Sequence, residues 1–168
     1  MEICRATLKD AHAIAEIHVI AWQAAYNGII PPAFLEGLSI SKHEAHWRED
    51  ISLGRPEVLI ARSDDRVVGW VALGSCRDEG ASFTDAEIWA IYVAPSHWSQ
   101  GIGKSLWLRA RAQLVEQGFL SVSLWVLAEN QRATRFYRLA GFVPEEYNTK
   151  EICLGGKLLQ EIRYVAAL

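Results

Sequence analysis

A strand, a glycine-containing loop and a helix start follow one another in the segment 87–105, EIWAIYVAPSHWSQGIGKS. The apolar run Ile88–Val93 predicts a strand, and a helix-forming run begins at Lys104, just after Gly101 and Gly103. The first N–H groups of a helix have no partners within it and lie at the positive end of its dipole. Glycine lets an anion come close to such a backbone. The segment therefore predicts a site for a phosphate-bearing ligand.

Two common phosphate-binding loops fit this segment poorly. The ending GKS at 103–105 matches the tail of a P-loop, but Trp98 stands where that loop needs its first glycine. The apolar run at 122–127 also lacks the aspartate that would bind magnesium. A dinucleotide-binding fingerprint would need a third glycine where Leu106 stands. Both nucleotide-binding alternatives are therefore disfavoured.

The loop instead resembles the pyrophosphate loop of the GNAT (GCN5-related N-acetyltransferase) superfamily, whose members use acetyl-CoA. The segment 124–142, LWVLAENQRATRFYRLAGF, is similar to the family's second cofactor segment: a strand, then Asn-x-x-Ala-x-x-Phe-Tyr on a helix, then Gly-Phe. The segment 21–31, AWQAAYNGIIP, resembles the first helix and acceptor-side loop of many bacterial members. One departure is Trp98, because the family's loop often has Arg or Gln at that place.

This resemblance implies that an acetyl group passes from acetyl-CoA to a primary amine directly in a ternary complex. It implies neither a metal ion nor a covalent enzyme intermediate. It also implies that the backbone of Ile91 and Val93 pairs with the pantetheine amides, while Asn130 either bonds the cofactor arm or caps its helix. The other expected cofactor contacts are Tyr92, Trp98, Ser99, Gln100, Gly101, Ile102, Gly103, Lys104, Ser105 and Tyr137. The alternative function is a non-catalytic module that senses acetyl-CoA.

Acetyl transfer needs a neutral amine and a proton for the departing thiolate, because an alkylamine has a pKa of about 10.4 and a thiol one of about 8.5. Glu87 is the candidate base, and a surface glutamate at a strand start is the other interpretation. Tyr137 is the candidate acid, which the resemblance places beside the sulfur; a packed core tyrosine is the alternative. Strict alternation along the strand would put Glu87, Trp89, Ile91 and Val93 on one face.

The acceptor side is less well defined by the sequence. Trp22, Tyr26, Trp89 and Trp125 are candidates for an aromatic acceptor pocket that packs over the acceptor or holds a cation. Ordinary core or dimer packing is the alternative. The acceptor, a small molecule or a peptide, stays open among polyamines, antibiotics, amino acids and protein N-termini. Acidic side chains that would suit a cationic amine, or simply keep a loop soluble, are Asp78, Glu79 and Asp85.

The order of predicted elements indicates one α+β domain over residues 1–168. We expect a mixed, mostly antiparallel sheet of about seven strands with about four helices and, from the resemblance, a splayed cofactor cleft. The expected strands are 3–6, 58–61, 67–73, 86–93, 121–127, 149–154 and 157–165. The expected helices are a first one that a cap at Thr7 begins and that runs to about Tyr26, then 32–52, 101–117 and 131–139.

Composition excludes several other classes of protein. The net charge is −3 without a long basic run, which argues against nucleic-acid binding. No apolar stretch approaches the roughly 20 residues of a membrane helix, and the N-terminus does not resemble a signal peptide. Cys4, Cys76 and Cys153 are expected to be reduced thiols in the cytoplasm. We expect His43 and His46 to be a surface pair rather than metal ligands, and a homodimer follows from the resemblance and the aromatic content.

Overall fold

The computed structural model describes residues 1–168, apart from the side chain of Glu146. Seven strands occur in this described chain: β1 (Glu2–Arg5), β2 (Glu57–Ser63), β3 (Arg66–Ser75), β4 (Asp85–Val93), β5 (Ser121–Leu127), β6 (Val143–Leu154) and β7 (Lys157–Ala167). They form one sheet in the order β1-β2-β3-β4-β5-β7-β6. Every neighbouring pair is antiparallel except β4 and β5, which are parallel. The predicted mixed, mostly antiparallel fold is confirmed.

The described residues contain five α-helices, one more than expected: α1 (Ala11–Ala25), α2 (Pro32–Glu36), α3 (Ile40–Leu53), α4 (Ile102–Glu116) and α5 (Gln131–Leu139). The single helix predicted over 32–52 is two helices, because α2 ends at Gly37 and Ser39 caps α3 by accepting the N–H of Lys42 at 3.3 Å. Nowhere in the part of the chain that the structure describes is a helix long and apolar enough to cross a membrane.

The sheet lies between two helical layers. On one face, α4 buries Leu106, Ala110 and Leu114, which recur every four residues, against a core that includes Val71 and Val122. On the other face, α1 and α3 cover a second core. That second core gathers Ile14 and Ile17 of α1, Trp47 of α3, and Ile60, Trp70 and Ala72 of the sheet. Each face of β4 therefore meets a different set of helices.

The hairpin of β6 and β7 packs against the end of α1 and the short helix α2. Leu127 and Leu159 join Ile30 and Leu35 in a third core cluster. At the turn of the hairpin, a β-carbon on Gly155 would lie 2.9 Å from a side-chain carbon of α2, so the two elements meet closely there. This contact holds the turn of the hairpin against α2, which follows the end of α1.

Candidate active site

The parallel strands β4 and β5 separate part-way along their length. They pair only where Asp85–Glu87 lies opposite Ser121–Ser123, although β4 continues to Val93 and β5 to Leu127. Beyond the last pair, the two strands line a cleft of about 1350 Å³. Within the described residues no strand pairs with the β5-facing edge of β4 beyond this point. The expected splay is confirmed, and it leaves backbone groups of β4 open to a ligand.

The strand β4 carries a β-bulge at Trp89. Along β3, Ala72 pairs with Ala90 and the next residue pairs with Ile88, so Trp89 is the extra residue. A bulge places two residues opposite one, and it therefore reverses the alternation of side chains that follow it.

This bulge overturns the alternation expected from the sequence, in which Glu87, Trp89, Ile91 and Val93 share one face. Ile91 and Val93 instead pack with Ile88 in the core beneath α4. Trp89 packs on the opposite face, against the core beneath α1 and α3. The prediction was wrong because the period of two breaks in mid-strand, and nothing in the local sequence marks the break.

The loop between β4 and α4 presents backbone N–H groups to the cleft. Ser99 and Gly101 adopt left-handed conformations, with φ of 63° and 82°. The N–H of Ser105 donates to the carbonyl of Gly101 at 3.0 Å and so belongs to the first helical hydrogen bonds. The preceding N–H groups, those of Ile102–Lys104, have no partner within the helix, and these residues line the cleft. These free N–H groups lie where the sequence pattern predicts an anion site, and the site itself stays a prediction.

Most of the predicted loop contacts lie in the cleft wall, but two do not. Gln100 turns its side chain to the carbonyl of Ser96 at 3.2 Å, and Ser105 lies one residue too far along α4. Trp98 does line the cleft, and its indole N–H donates to the carbonyl of Val93 at 2.8 Å. This hydrogen bond ties the loop to the end of β4.

Arg132 of α5 stacks on Trp98, and sequence analysis did not single it out. Its guanidinium carbon lies 4.0 Å from the centroid of the indole ring, and both residues line the cleft. The stack brings a positive charge to the loop position where many family members have Arg or Gln. The signal that could have found Arg132 is its place in the first turn of α5, two residues after Asn130.

Helix α5 brings Asn130 and Tyr137 to the cleft. Asn130 caps the helix by accepting the N–H of Ala133 at 3.1 Å, so the capping interpretation is confirmed, and the residue also lines the cleft. The Tyr137 ring packs against Phe142, with ring centroids 5.7 Å apart. Desolvation within the cleft, and secondly the nearby Tyr26, raise the pKa of Tyr137 well above its ordinary value. Its hydroxyl therefore stays protonated at neutral pH and is available to donate a hydrogen bond.

The four aromatic acceptor candidates, Trp22, Tyr26, Trp89 and Trp125, all line the same cleft. The hydroxyls of Tyr26 and Tyr92 lie 3.0 Å apart and share a hydrogen bond. Burial is the main cause that raises the pKa of both tyrosines. This half of the cleft, between β4 and α1, therefore presents neutral hydroxyls and aromatic rings.

His18, Trp47 and Asp50 also line this half, and sequence reasoning missed them. Burial, and secondly the nearby imidazoles of α3, lower the pKa of His18 to about 3, so the ring is neutral at physiological pH. His43, expected at the surface, stacks on His18 with ring centroids 4.1 Å apart. The spacing of four residues between His18 and Trp22 is the signal that places both on one face of α1.

Glu87 is buried, with 2% exposure, and its carboxylate is held by Arg77. One oxygen accepts the backbone N–H and the Nε–H of Arg77, both at 3.0 Å, and the other accepts from Nη2. The interpretation of Glu87 as a surface glutamate was wrong, because the residue is buried and its oxygens accept from Arg77. The base role stays a prediction. Arg77 and Glu87 are ten residues apart in the sequence, so no local sequence pattern indicates that they pair.

Trp89 and Trp125 each carry a cation of the protein itself on a ring face. The guanidinium carbon of Arg77 lies 4.0 Å from the centroid of Trp89, and Nζ of Lys150 lies 4.1 Å from that of Trp125. Both rings thus carry a cationic side chain of the chain itself, and their role toward an acceptor stays a prediction.

Comparison with known proteins identifies the family. The model of the acetyltransferase (GNAT) family matches residues 12–142. The chain belongs to this family. The family and the N-acetyltransferase activity predicted from the two sequence segments are therefore confirmed.

The relatives cover most of the chain. An uncharacterised N-acetyltransferase of Bacillus subtilis, YuaI, is 30% identical over 94% of this chain and 87% of its own length. The spermidine N(1)-acetyltransferase of Thermoplasma acidophilum is 24% identical over 94% of this chain and 97% of its own length. Among solved structures, the PaiA N-acetyltransferase of Thermoplasma acidophilum in complex with coenzyme A has a TM-score of 0.82 at 22% identity, covering 99% of this chain and 98% of that one. This GNAT chain shares their fold.

Proposed function

We propose that this GNAT chain transfers an acetyl group from acetyl-CoA directly to a primary amine in a ternary complex. The observation that carries the proposal is the fork between β4 and β5, which joins the anion site of α4, the hydroxyl of Tyr137 and an aromatic half in one cleft. Solved neighbours hold coenzyme A and, in YncA of Salmonella typhimurium (TM-score 0.77), acetyl-CoA, which supports this cosubstrate. Residues 1–168 act as one domain, since one sheet carries both halves.

The residues of the chain fit acetyl-CoA, which supplies the acyl group as a thioester. The free N–H groups of Ile102–Lys104 and the guanidinium of Arg132 suit a pyrophosphate. The unpaired edge of β4 beyond Glu87 suits the amides of a pantetheine arm, as expected for Ile91 and Val93. Tyr137 lies in the same cleft, where its hydroxyl can reach a sulfur.

In the proposed reaction the amine nitrogen bonds to the acetyl carbon and the carbon–sulfur bond breaks. Tyr137 donates a hydrogen bond to the departing sulfur. Because its pKa is raised, Tyr137 does not lose its proton outright, and the proton that the amine releases completes the thiol. In this proposal a water molecule carries that proton from the nitrogen to the sulfur. Glu87 already accepts from Arg77, so its service as the base depends on release from that pair.

Release of coenzyme A from acetyl-CoA tests the proposal across polyamines, aminoglycosides, amino acids and short peptides, with mass spectrometry of the acetylated product. Release with one class would establish the reaction and the acceptor class together. If acetyl-CoA binds by calorimetry but no amine is acetylated, the chain is instead a sensor of acetyl-CoA.

Two further parts of the proposal concern assembly and location. Phe83 is 92% exposed and Leu120 is 68% exposed, and the N–H of Leu120 donates to the carbonyl of Thr84, the residue after Phe83. This apolar patch, at the end of β4 and β5 opposite the fork, supports a homodimer, which light scattering after gel filtration tests.

The described cysteines are unpaired, which supports the reducing cytoplasm, and cell fractionation tests that location.

A further inference from the structure

Arg77 is fixed at the acceptor half of the cleft by two contacts. The buried carboxylate of Glu87 accepts its Nε–H and one Nη2–H, and the ring of Trp89 lies against its guanidinium at 4.0 Å. The Arg77 side chain is nevertheless 52% exposed, and the residue lines the cleft. A long, flexible side chain is thus held in one position with part of its charge turned to the ligand space.

The pair with Glu87 occupies one edge of the guanidinium only. Nη1 and the second hydrogen of Nη2 form the other edge, and among the described side chains no carboxylate other than that of Glu87 pairs with Arg77. Two parallel N–H groups on such an edge match the two oxygens of a carboxylate. Because Glu87 and Trp89 have already fixed Arg77, little side-chain entropy is lost when an anion binds to it.

The surroundings of the fork favour an anionic group over a second cation. Trp89 and Trp125 each lie two residues beyond the last paired residues of β4 and β5, so they flank the point of separation. Their ring faces carry Arg77 and Lys150. A cationic group on the acceptor would have to displace one of these side chains to use the aromatic face, whereas an anionic group would meet Arg77 and Lys150, each of which already pairs with one carboxylate of the chain.

The carboxylates near the fork have partners of their own. Asp78 accepts from the indole N–H of Trp125 at 2.9 Å and from Arg163 at 2.8 Å. Glu161 lies 3.5 Å from Nζ of Lys150. These pairs reduce the negative charge that an acceptor carboxylate would meet beside Arg77.

We propose that Arg77 binds a carboxylate of the acceptor, so that the preferred acceptors are amines that carry a carboxylate. The inference rests on the proposed function and names its acceptor class. Glu87 is then a positioning residue, which holds Arg77 in place, rather than a residue that takes the proton of the amine.

Matched acceptors test this specificity. Each set contains an amino acid, its carboxamide and the amine that remains after decarboxylation; a second series with longer spacing between amine and carboxylate distinguishes α-amino acids from ω-amino acids. We expect kcat/KM for the carboxylate member to exceed that of its carboxamide by about 10- to 100-fold, as for a charged hydrogen-bonded pair. Acetylation that favours the carboxamide or the decarboxylated amine in every set would overturn the inference and leave the proposed function standing.

A binding measurement keeps the two proposals separable if no acceptor turns over. Calorimetric titration of the N-acetylated amino acid and of its carboxamide into the protein with coenzyme A needs no catalysis. Tighter binding of the carboxylate form would support the role of Arg77 even if the proposed function failed. Equal binding of the two forms would contradict that role.

Variants assign the preference to Arg77. Arg77→Gln alone leaves the carboxylate of Glu87 buried without its partner, which can prevent folding. The double variant Arg77→Gln/Glu87→Gln avoids this, because it replaces the ion pair with two amides. We expect the ratio between carboxylate and carboxamide acceptors to fall to about one in both variants that fold, with acetyl-CoA affinity unchanged. Arg111→Gln, an exposed arginine of α4, is the matched control and should keep the ratio. Retention of the wild-type ratio in the double variant would refute the inference.

Discussion

The two halves of the cleft are built in different ways. The half of the cleft that we assign to the cofactor, the cofactor half, is lined by backbone N–H groups at the start of α4, an unpaired strand edge and side chains of α5, all from the two continuous segments 87–105 and 124–142. The acceptor half takes Trp22 from α1, Arg77 from a loop and Trp125 from β5. The groups of the cofactor half thus come from short continuous segments, whereas the side chains of the acceptor half come together only when the tertiary structure forms.

The largest expected effect is a loss of acetyl-CoA affinity in a variant that keeps its fold. A β-carbon at Gly103 would already lie 3.4 Å from the ring of Phe136, so we expect the further methyls of Gly103→Val to crowd the space between α4 and α5. The start of α4 should shift and acetyl-CoA affinity should fall by about 100-fold or more, which is about 2.7 kcal/mol. Calorimetry measures the affinity and circular dichroism the fold.

Gly103→Ala is the graded control, because its single β-carbon makes only a close contact with Phe136. It should bind acetyl-CoA much better than Gly103→Val. If Gly103→Val binds acetyl-CoA like wild type, the pyrophosphate lies elsewhere and the start of α4 does not belong to the cofactor half.

At the boundary of the two halves, Tyr137→Phe removes the hydroxyl offered to the sulfur. We expect kcat to fall by about 10²-fold with unchanged acetyl-CoA affinity, because the donor acts during bond breaking. Steady-state kinetics and calorimetry separate the two quantities. Tyr147→Phe, at a fully exposed tyrosine, is the control. An unchanged kcat would remove Tyr137 as the donor.

His18 probes how tightly the acceptor half is packed. Its pKa of about 3 lies below the ordinary value, so the unfolded chain binds more protons between pH 3 and pH 6.5. The stability that the neutral ring contributes is complete above pH 6.5 and is lost as the pH falls. Between pH 7 and pH 5 the loss should be about 2 kcal/mol in the free energy of unfolding. His18→Gln should remove this part of the slope in urea unfolding.

His12 is a control of opposite sign for that measurement. A hydrogen bond to Glu44 is the main cause that raises the pKa of His12, so its contribution to stability is present at low pH and lost as the pH rises. His12→Gln should therefore make the fall in stability on acidification steeper, not shallower. The same acid slope in wild type and His18→Gln would mean that His18 is not buried as described.

Glu87→Gln distinguishes a positioning role from a base. If Glu87 holds Arg77, KM for a carboxylate acceptor should rise about tenfold while the acidic limb of the pH–rate profile persists. Glu116→Gln, at an exposed glutamate of α4, should change neither quantity. Disappearance of the acidic limb, with KM unchanged, would restore Glu87 as the base.

The smallest expected effect is a modest loss of acetyl-CoA affinity when a charge is removed from the cofactor half. Arg132→Gln removes the charge stacked on Trp98, and acetyl-CoA affinity should fall about fivefold with a weaker dependence on salt. Arg138→Gln on the same helix is the matched control, since that residue lies outside the cleft wall. Equal affinities of the two variants would show that backbone alone holds the phosphates.

The sequence predicted most of the fold, because most elements carry their own periodicity. Seven strands, their approximate bounds and the splay all followed from local patterns and the resemblance. β6 begins at Val143 rather than 149, since its first half is polar and carries Pro144, and its pairing is decided by β7. Such pairing depends on the partner strand, which a local pattern does not contain.

The site divides in the same way. The anion site and Tyr137 were predicted from spacing and resemblance, whereas the setting of Glu87 was not. A one-residue bulge at Trp89 and a contact with Arg77 ten residues away decide that setting. Both arise from how β4 fits its neighbours, so they become visible only when the sheet is formed.

Among the described residues, two of the three indoles that carry a cation on a ring face have an optical consequence. Trp98 beneath Arg132 lies in one half of the cleft and Trp89 beneath Arg77 in the other, so each half carries a fluorophore next to a charge that a bound ligand would contact. Emission from Trp98 should respond to acetyl-CoA and emission from Trp89 to the acceptor. Replacing one indole at a time with Phe would let a stopped-flow instrument record the order in which the two substrates arrive.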